Sequence, residues 1–127
     1  MEKNIRVLII DDNEMMRDLL RLTLRTDGYD VVGAAADGAT GLEMVAKFKP
    51  HLVCLDIDMP KISGINVLKM IKSKLPETAV LMISGKNETD VVKQALAEGA
   101  SGFILKPFKI GPLLEKLDSI TAKLRNT

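Results

Sequence analysis

The sequence predicts an α/β fold: a doubly wound parallel sheet with helices on both faces. Three observations predict it. Five short apolar runs recur along the chain, most without polar alternation, as in strands covered on both faces. Between the runs the apolar residues change to helical spacing. The alternation occurs five times, so each strand feeds a helix and returns parallel, through right-handed crossovers.

The elements follow in order. The strand runs are Ile5 to Ile10, Val31 to Ala35, Leu52 to Leu55, Ala79 to Ile83 and Gly102 to Leu105. After the first, Met16, Leu19, Leu20, Thr23 and Leu24 share one helix face. The segment Gly38 to Phe48 carries Leu42, Val45 and Ala46 and reads as the second helix. Leu68, Ile71 and Leu75 mark the third, and Val92, Ala95 and Leu96 the fourth. Leu113, Leu117, Ile120 and Leu124 mark the last. Gly28, Gly41 and Gly99 punctuate helix ends or starts, and Pro112 suits a first helical turn. Asp12 is expected to cap the first helix, and Asn87, ahead of Glu88 and Asp90, the fourth. Six of the seven methionines, Met15, Met16, Met44, Met59, Met70 and Met82, are expected to fill the core or pack at strand ends.

Size and composition bound the function. The chain has 127 residues, enough for one domain spanning 1–127 that buries a core without staples, and no output domain is expected after the last helix. Eighteen basic residues against 17 acidic ones, net +1, disfavour nucleic acid or membrane as a partner chosen by bulk charge. Aromatics are 3% with no Trp, too few for base-stacking platforms. The lone Cys54 excludes an intramolecular disulfide and is expected to pack as a small hydrophobe. His51 is expected at the surface, at a strand start. The N-terminal run meets Asp11 and Asp12 with no cleavage signature, and no run is long enough to span a bilayer, so the expected location is cytoplasmic.

The chemistry collects at strand ends. In a parallel sheet all C-terminal ends share one edge, where ligands bind. Asp11 and Asp12 follow the first run, Asp56 the third, Ser84 the fourth and Lys106 the fifth. Only the second runs out into alanines, Ala35 and Ala36. The order 2-1-3-4-5 puts that strand at an edge and makes the other four neighbours. Three carboxylates would then crowd together, and two unit charges about 4 Å apart repel by roughly 4 kcal/mol at an effective dielectric near 20. Such a cluster protonates, spreads or binds a cation. An all-oxygen donor set selects a hard ion, Mg²⁺ ahead of Zn²⁺, with Mn²⁺ admitted as a substitute. With Lys106 as a point charge and Ser84 as a hydroxyl donor, the rim suits phosphoryl transfer onto a carboxylate.

The fragments IIDDNE, LDIDMPKISG, MISG and ILKPF, in this order and spacing, resemble the receiver domain of bacterial two-component response regulators. The resemblance covers both halves of the chain. It implies the flavodoxin-like (βα)5 sandwich of the chemotaxis response regulator. It implies Asp56 as phosphoacceptor, Asp12 as a direct Mg²⁺ ligand with Asp11 assisting, and the Asp58 backbone carbonyl as a further ligand. Ser84 would bond the phosphoryl group and Lys106 would pair with it. Gly85 leaves room for the phosphate, Gly64 is the glycine of the MPxxxG turn, and Lys106-Pro107 is the cis-prolyl turn. Phe103 falls at the switch aromatic, a place where a core aromatic also fits. Asp58 and Lys86 fall at positions that tune phosphate lifetime, and their opposite charges suggest a pair across the site mouth.

The implied function is a phosphorylation-controlled signalling module. A histidine kinase or phosphotransfer protein donates, a protein target responds, and the chain catalyses only its own phosphorylation and dephosphorylation. The output surface would include residues Gly99 to Phe103 and the polar face of the last helix, with Glu115, Lys116 and Lys123. Three rivals share the fold class: a flavin or nucleotide binder, a Mg²⁺-dependent phosphotransferase acting on a small molecule, and a scaffold that ignores phosphorylation. The aspartates after the first strand, where phosphate-cradling folds place glycine or serine, count against the first.

Overall fold

Side chains of the five strands alternate between two faces, and each face meets its own set of helices. The computed structural model describes residues 3–85 and 89–125. Strands β1 (Arg6–Ile10), β2 (Asp30–Ala35), β3 (Leu52–Asp56), β4 (Ala79–Ser84) and β5 (Gly102–Leu105) alternate with helices α1 (Glu14–Thr26), α2 (Gly38–Phe48), α3 (Gly64–Lys74), α4 (Thr89–Ala97) and α5 (Ile110–Arg125). All strand pairs are parallel, in the order β2-β1-β3-β4-β5. The expected doubly wound sheet and its order are both present.

Val7, Ile9, Cys54, Leu81 and Ile83 point to one face and pack with Leu20 and Leu24 of α1 and Leu113, Leu117 and Ile120 of α5. Leu8, Ile10, Val53, Leu55, Val80 and Met82 point to the other, against Val45 of α2, Leu68 and Ile71 of α3 and Ala95 of α4. Every residue of β3 and β4 is buried. Their unbroken apolar runs follow from this two-sided cover.

Local chemistry starts the helices. The Asn13 side chain, not that of Asp12, caps α1 by accepting from the Met16 N–H at 2.9 Å. The correction has a simple cause: the turn after β1 runs one residue longer than expected, which leaves Asp12 at the rim beside Asp56. Asp37 and Ser63 cap α2 and α3 in the same way. The expected Asn87 cap lies outside the described residues. Gly28 and Gly99, at φ 93° and 100°, end α1 and α4 in left-handed geometry that suits glycine.

Two expectations about apolar residues fail. Leu19 is 40% exposed, off the buried face formed by Leu20, Thr23 and Leu24. Met15 is 82% exposed and Met70 45%, so neither fills the core. Spacing alone placed a wide stripe on α1, whereas the sheet covers only part of it.

Candidate functional site

The parallel register brings the C-terminal ends of β1, β3, β4 and β5 to one rim. Ile10 pairs with Leu55, Asp56 with Ile83, and Ser84 with Leu105. The polar residues at and beyond these ends are therefore held by buried backbone. Asp11 is fully buried. Its N–H donates to the Ala35 carbonyl, and its Oδ1 accepts from the Asn13 N–H at 2.9 Å. Asp12 is exposed. Asp56 is 2% exposed, and its Oδ1 accepts from the Asp58 N–H at 3.0 Å.

Asp11, Asp12 and Asp56 each offer a carboxylate oxygen, and these atoms lie within 4.8 Å of one another. Among the described residues one cation answers them: Lys106 Nζ stands 3.2 Å from Asp11 Oδ2 and 3.5 Å from Asp56 Oδ1. The balance remains negative. Burial, and next the charge of Asp11, push the Asp56 carboxyl up to about 6, while the Asp58 N–H and Lys106 oppose the rise. The donor set is entirely oxygen and partly open to water, which fits Mg²⁺. Asp11, Asp12 and Asp56 are the side chains that would hold it.

The supporting backbone is close-packed. A Cβ at Gly64 would stand 2.4 Å from the Asp56 carbonyl oxygen, so the MPxxxG turn admits only glycine. The Lys106-Pro107 bond is cis, as expected. Phe103 is half-buried, packs against the α2–α3–α4 side of the core, and lines an open groove of ≈ 720 Å³ with Val92, Leu96 and Pro107. Lys116 of α5 donates to the Phe103 carbonyl at 2.8 Å.

Asp58 does what sequence reasoning did not foresee. Its side chain turns into the site, where Oδ2 accepts from the Ser84 hydroxyl at 3.0 Å and from the Gly85 N–H at 3.1 Å. Nothing local in the sequence signals this contact, because its partners are more than 25 positions away. Lys86 lies outside the described residues, so the expected Asp58–Lys86 pair does too. Arg17 was also missed; its guanidinium donates to the Asp11 carbonyl at 2.8 Å. His51 stands at the opposite end of the sheet, half-buried, its Nδ1 accepting from the Arg6 N–H at 2.9 Å. It ties the start of β3 to β1 rather than lying on open surface. Burial pushes the Cys54 thiol up to about 12, which leaves it a packing residue.

The family described as the response regulator receiver domain matches residues 7–118. The chain is 34% identical to the chemotaxis protein CheY of Thermotoga maritima, over 91% of this chain and 97% of that protein. It is 33% identical to the transcriptional regulatory protein MctR of Rhizobium johnstonii, over 91% of this chain, and it spans only 55% of that protein's length. Among solved structures, a chain of the CheX–CheY–BeF3–Mg complex from Borrelia burgdorferi superposes with a TM-score of 0.89 at 31% identity, covering 92% of this chain and 89% of that one.

Proposed function

The chain belongs to the response regulator receiver domain family, and from that premise we propose that Asp56 accepts a phosphoryl group from the phosphohistidine of a histidine kinase or phosphotransfer protein. The observation that carries this reading is the convergence of Asp11, Asp12, Asp56 and Lys106 on one rim.

An Asp56 oxygen attacks phosphorus in line as the P–N bond breaks, and the imidazole leaves with the electron pair. Asp11, Asp12 and Asp56, with the Asp58 backbone carbonyl, would hold Mg²⁺, which would supply positive charge to offset that of the phosphoryl oxygens. Lys106, already beside Asp56 Oδ1, moves its charge to a phosphoryl oxygen. The Ser84 hydroxyl and the Gly85 N–H supply donors from β4 and the residue after it. Burial at 2% exposure keeps the nucleophile in one geometry, which lowers the entropic part of the barrier.

The donor meets Asp56 at the rim. Helix α1 starts there and carries an exposed apolar stripe, Met15, Leu19 and Leu22, at 82%, 40% and 67% exposure. That stripe suits a helix of the donor. On the response side, Ser84 drawn toward the phosphoryl group frees space that Phe103 fills, which reshapes the groove between α4, β5 and α5 where the target binds. No helix among the described residues is long and apolar enough to cross a membrane.

Intact mass after incubation with acetyl phosphate tests the chemistry, with Mg²⁺ or EDTA, for wild type and Asp56→Asn. One phosphoryl adduct that needs both Mg²⁺ and Asp56 is expected. No adduct, where a control receiver labels, would favour the scaffold that ignores phosphorylation.

A further inference from the structure

Phosphorylation at Asp56 needs donors for the new oxygens, and among the described residues the end of β4 presents two, the Ser84 hydroxyl and the Gly85 N–H. Both already donate to one atom, Asp58 Oδ2, at 3.0 and 3.1 Å. Asp58 is itself exposed, on the loop after β3, two residues beyond the phosphoacceptor. Its own N–H holds Asp56 Oδ1 at 3.0 Å, so the loop is anchored on the site while the carboxylate leans across to β4. A carboxylate oxygen is an anionic acceptor of the same kind as a phosphoryl oxygen. Among the described residues, an added Cβ at Gly85 would meet only Asp58 Oδ2, at 4.0 Å.

We propose that the Asp58 side chain is an internal latch, a resident carboxylate that occupies the Ser84–Gly85 donor pair until the phosphoryl group displaces it. This inference rests on the receiver reading above and assigns a residue that regulates it. The latch acts in two ways. It holds the Ser84 hydroxyl on Asp58 rather than on the phosphoryl group, which favours the unswitched state. It also adds a negative charge beside an incoming anion. Phosphorylation therefore has to break two charge-assisted hydrogen bonds before Ser84 can switch. The exposed position lets the carboxylate swing to water when displaced.

The test uses the full chain and two readouts. Amide ¹H–¹⁵N spectra without phosphoryl donor follow the Gly85 N–H, and ¹⁹F spectra measure affinity for beryllofluoride, a phosphoryl mimic, in the presence of Mg²⁺. Wild type is compared with Asp58→Asn and Asp58→Ala. The Gly85 amide is expected to move upfield in Asp58→Ala, and beryllofluoride to bind about tenfold more tightly. Asp58→Asn keeps an acceptor and loses the charge, so its gain is expected to be smaller. An unmoved Gly85 amide, or unchanged or weaker beryllofluoride binding in Asp58→Ala, overturns the latch and leaves the receiver reading intact. Failure of wild type to bind beryllofluoride at all overturns the receiver reading, and the latch with it.

Discussion

Two clusters in this molecule set a lysine among aspartates, and they behave oppositely. At the rim Lys106 faces Asp11 and Asp56, whose side chains are 1% and 2% exposed, with Asp12 alongside. At the far end Lys3 pairs with Asp27 and Asp118, at 31% and 54% exposure, and lies over the Tyr29 ring. Tyr29 donates to Asp118 at 2.8 Å and contacts Thr121, which ties the N-terminus, the α1–β2 turn and α5 together. Burial acts to lower the Lys3 pKa, yet its hydrogen bonds to Asp27 and Asp118 carry it above the usual lysine value. Water screens what charge is left there. At the rim, burial of Asp11 and Asp56 removes that screening, and among the described residues the carboxylates outnumber the cation. The difference teaches that the ratio of charges matters less than access to water: the exposed cluster is a clasp, and the buried one is incomplete without a cation.

The largest expected effect falls on the rim's backbone. Gly64→Ala would drive a Cβ into the Asp56 carbonyl, which cannot yield without displacing β3. A loss of about 3 kcal/mol in urea unfolding is expected. A loss under 1 kcal/mol would show that the rim is as adjustable as the clasp.

Next comes the cation. Mg²⁺ at a hundred times its dissociation constant should stabilise wild type by about 2.7 kcal/mol, read as a rise in thermal midpoint. The rise should shrink in Asp12→Asn and persist in Lys3→Ala. Equal rises in all three would mean that the ion binds elsewhere.

The pH dependence is subtler. The folded Asp56 carboxyl titrates at about 6, above its ordinary 3.8. An acid with a raised folded pKa contributes stability that is present below the unfolded value and is lost as pH rises through the folded one. Metal-free wild type should therefore lose stability between pH 4 and about 6 relative to Asp56→Asn, by on the order of 2 kcal/mol. Calorimetry of both across that window measures it, and parallel curves would sink the claim. Removing the clasp, with Lys3→Ala, should cost least, about 1 kcal/mol, and less again in high salt.

Much of this was legible in the sequence because its causes are local. Strand runs, helix periods and the polar residue at each strand end depend on neighbours a few positions apart, and the parallel arrangement turns those ends into one rim. The cis-prolyl turn and the confined Gly64 matched the expected fragments for the same reason. The division of labour between adjacent residues was not legible. Asp11 is buried and Asp12 open, while Asn13 takes the cap, because the exit angle of β1 decides which side chain points inward. Met15 and Leu19 looked like core, since spacing shows a stripe but not how far a sheet covers it.

The sequence by itself determined the order of elements, the two-faced core and the set of groups available to phosphoryl chemistry, because period and punctuation act through short-range sterics and hydrogen bonding. Only the tertiary structure decided that Asp58 reaches Ser84 and Gly85, that Lys106 straddles two carboxylates, and that Lys3 closes a clasp on α5. Those contacts join residues 26 to 115 positions apart. Their energies depend on distance and access to water, which exist only once the sheet has brought its strand ends together.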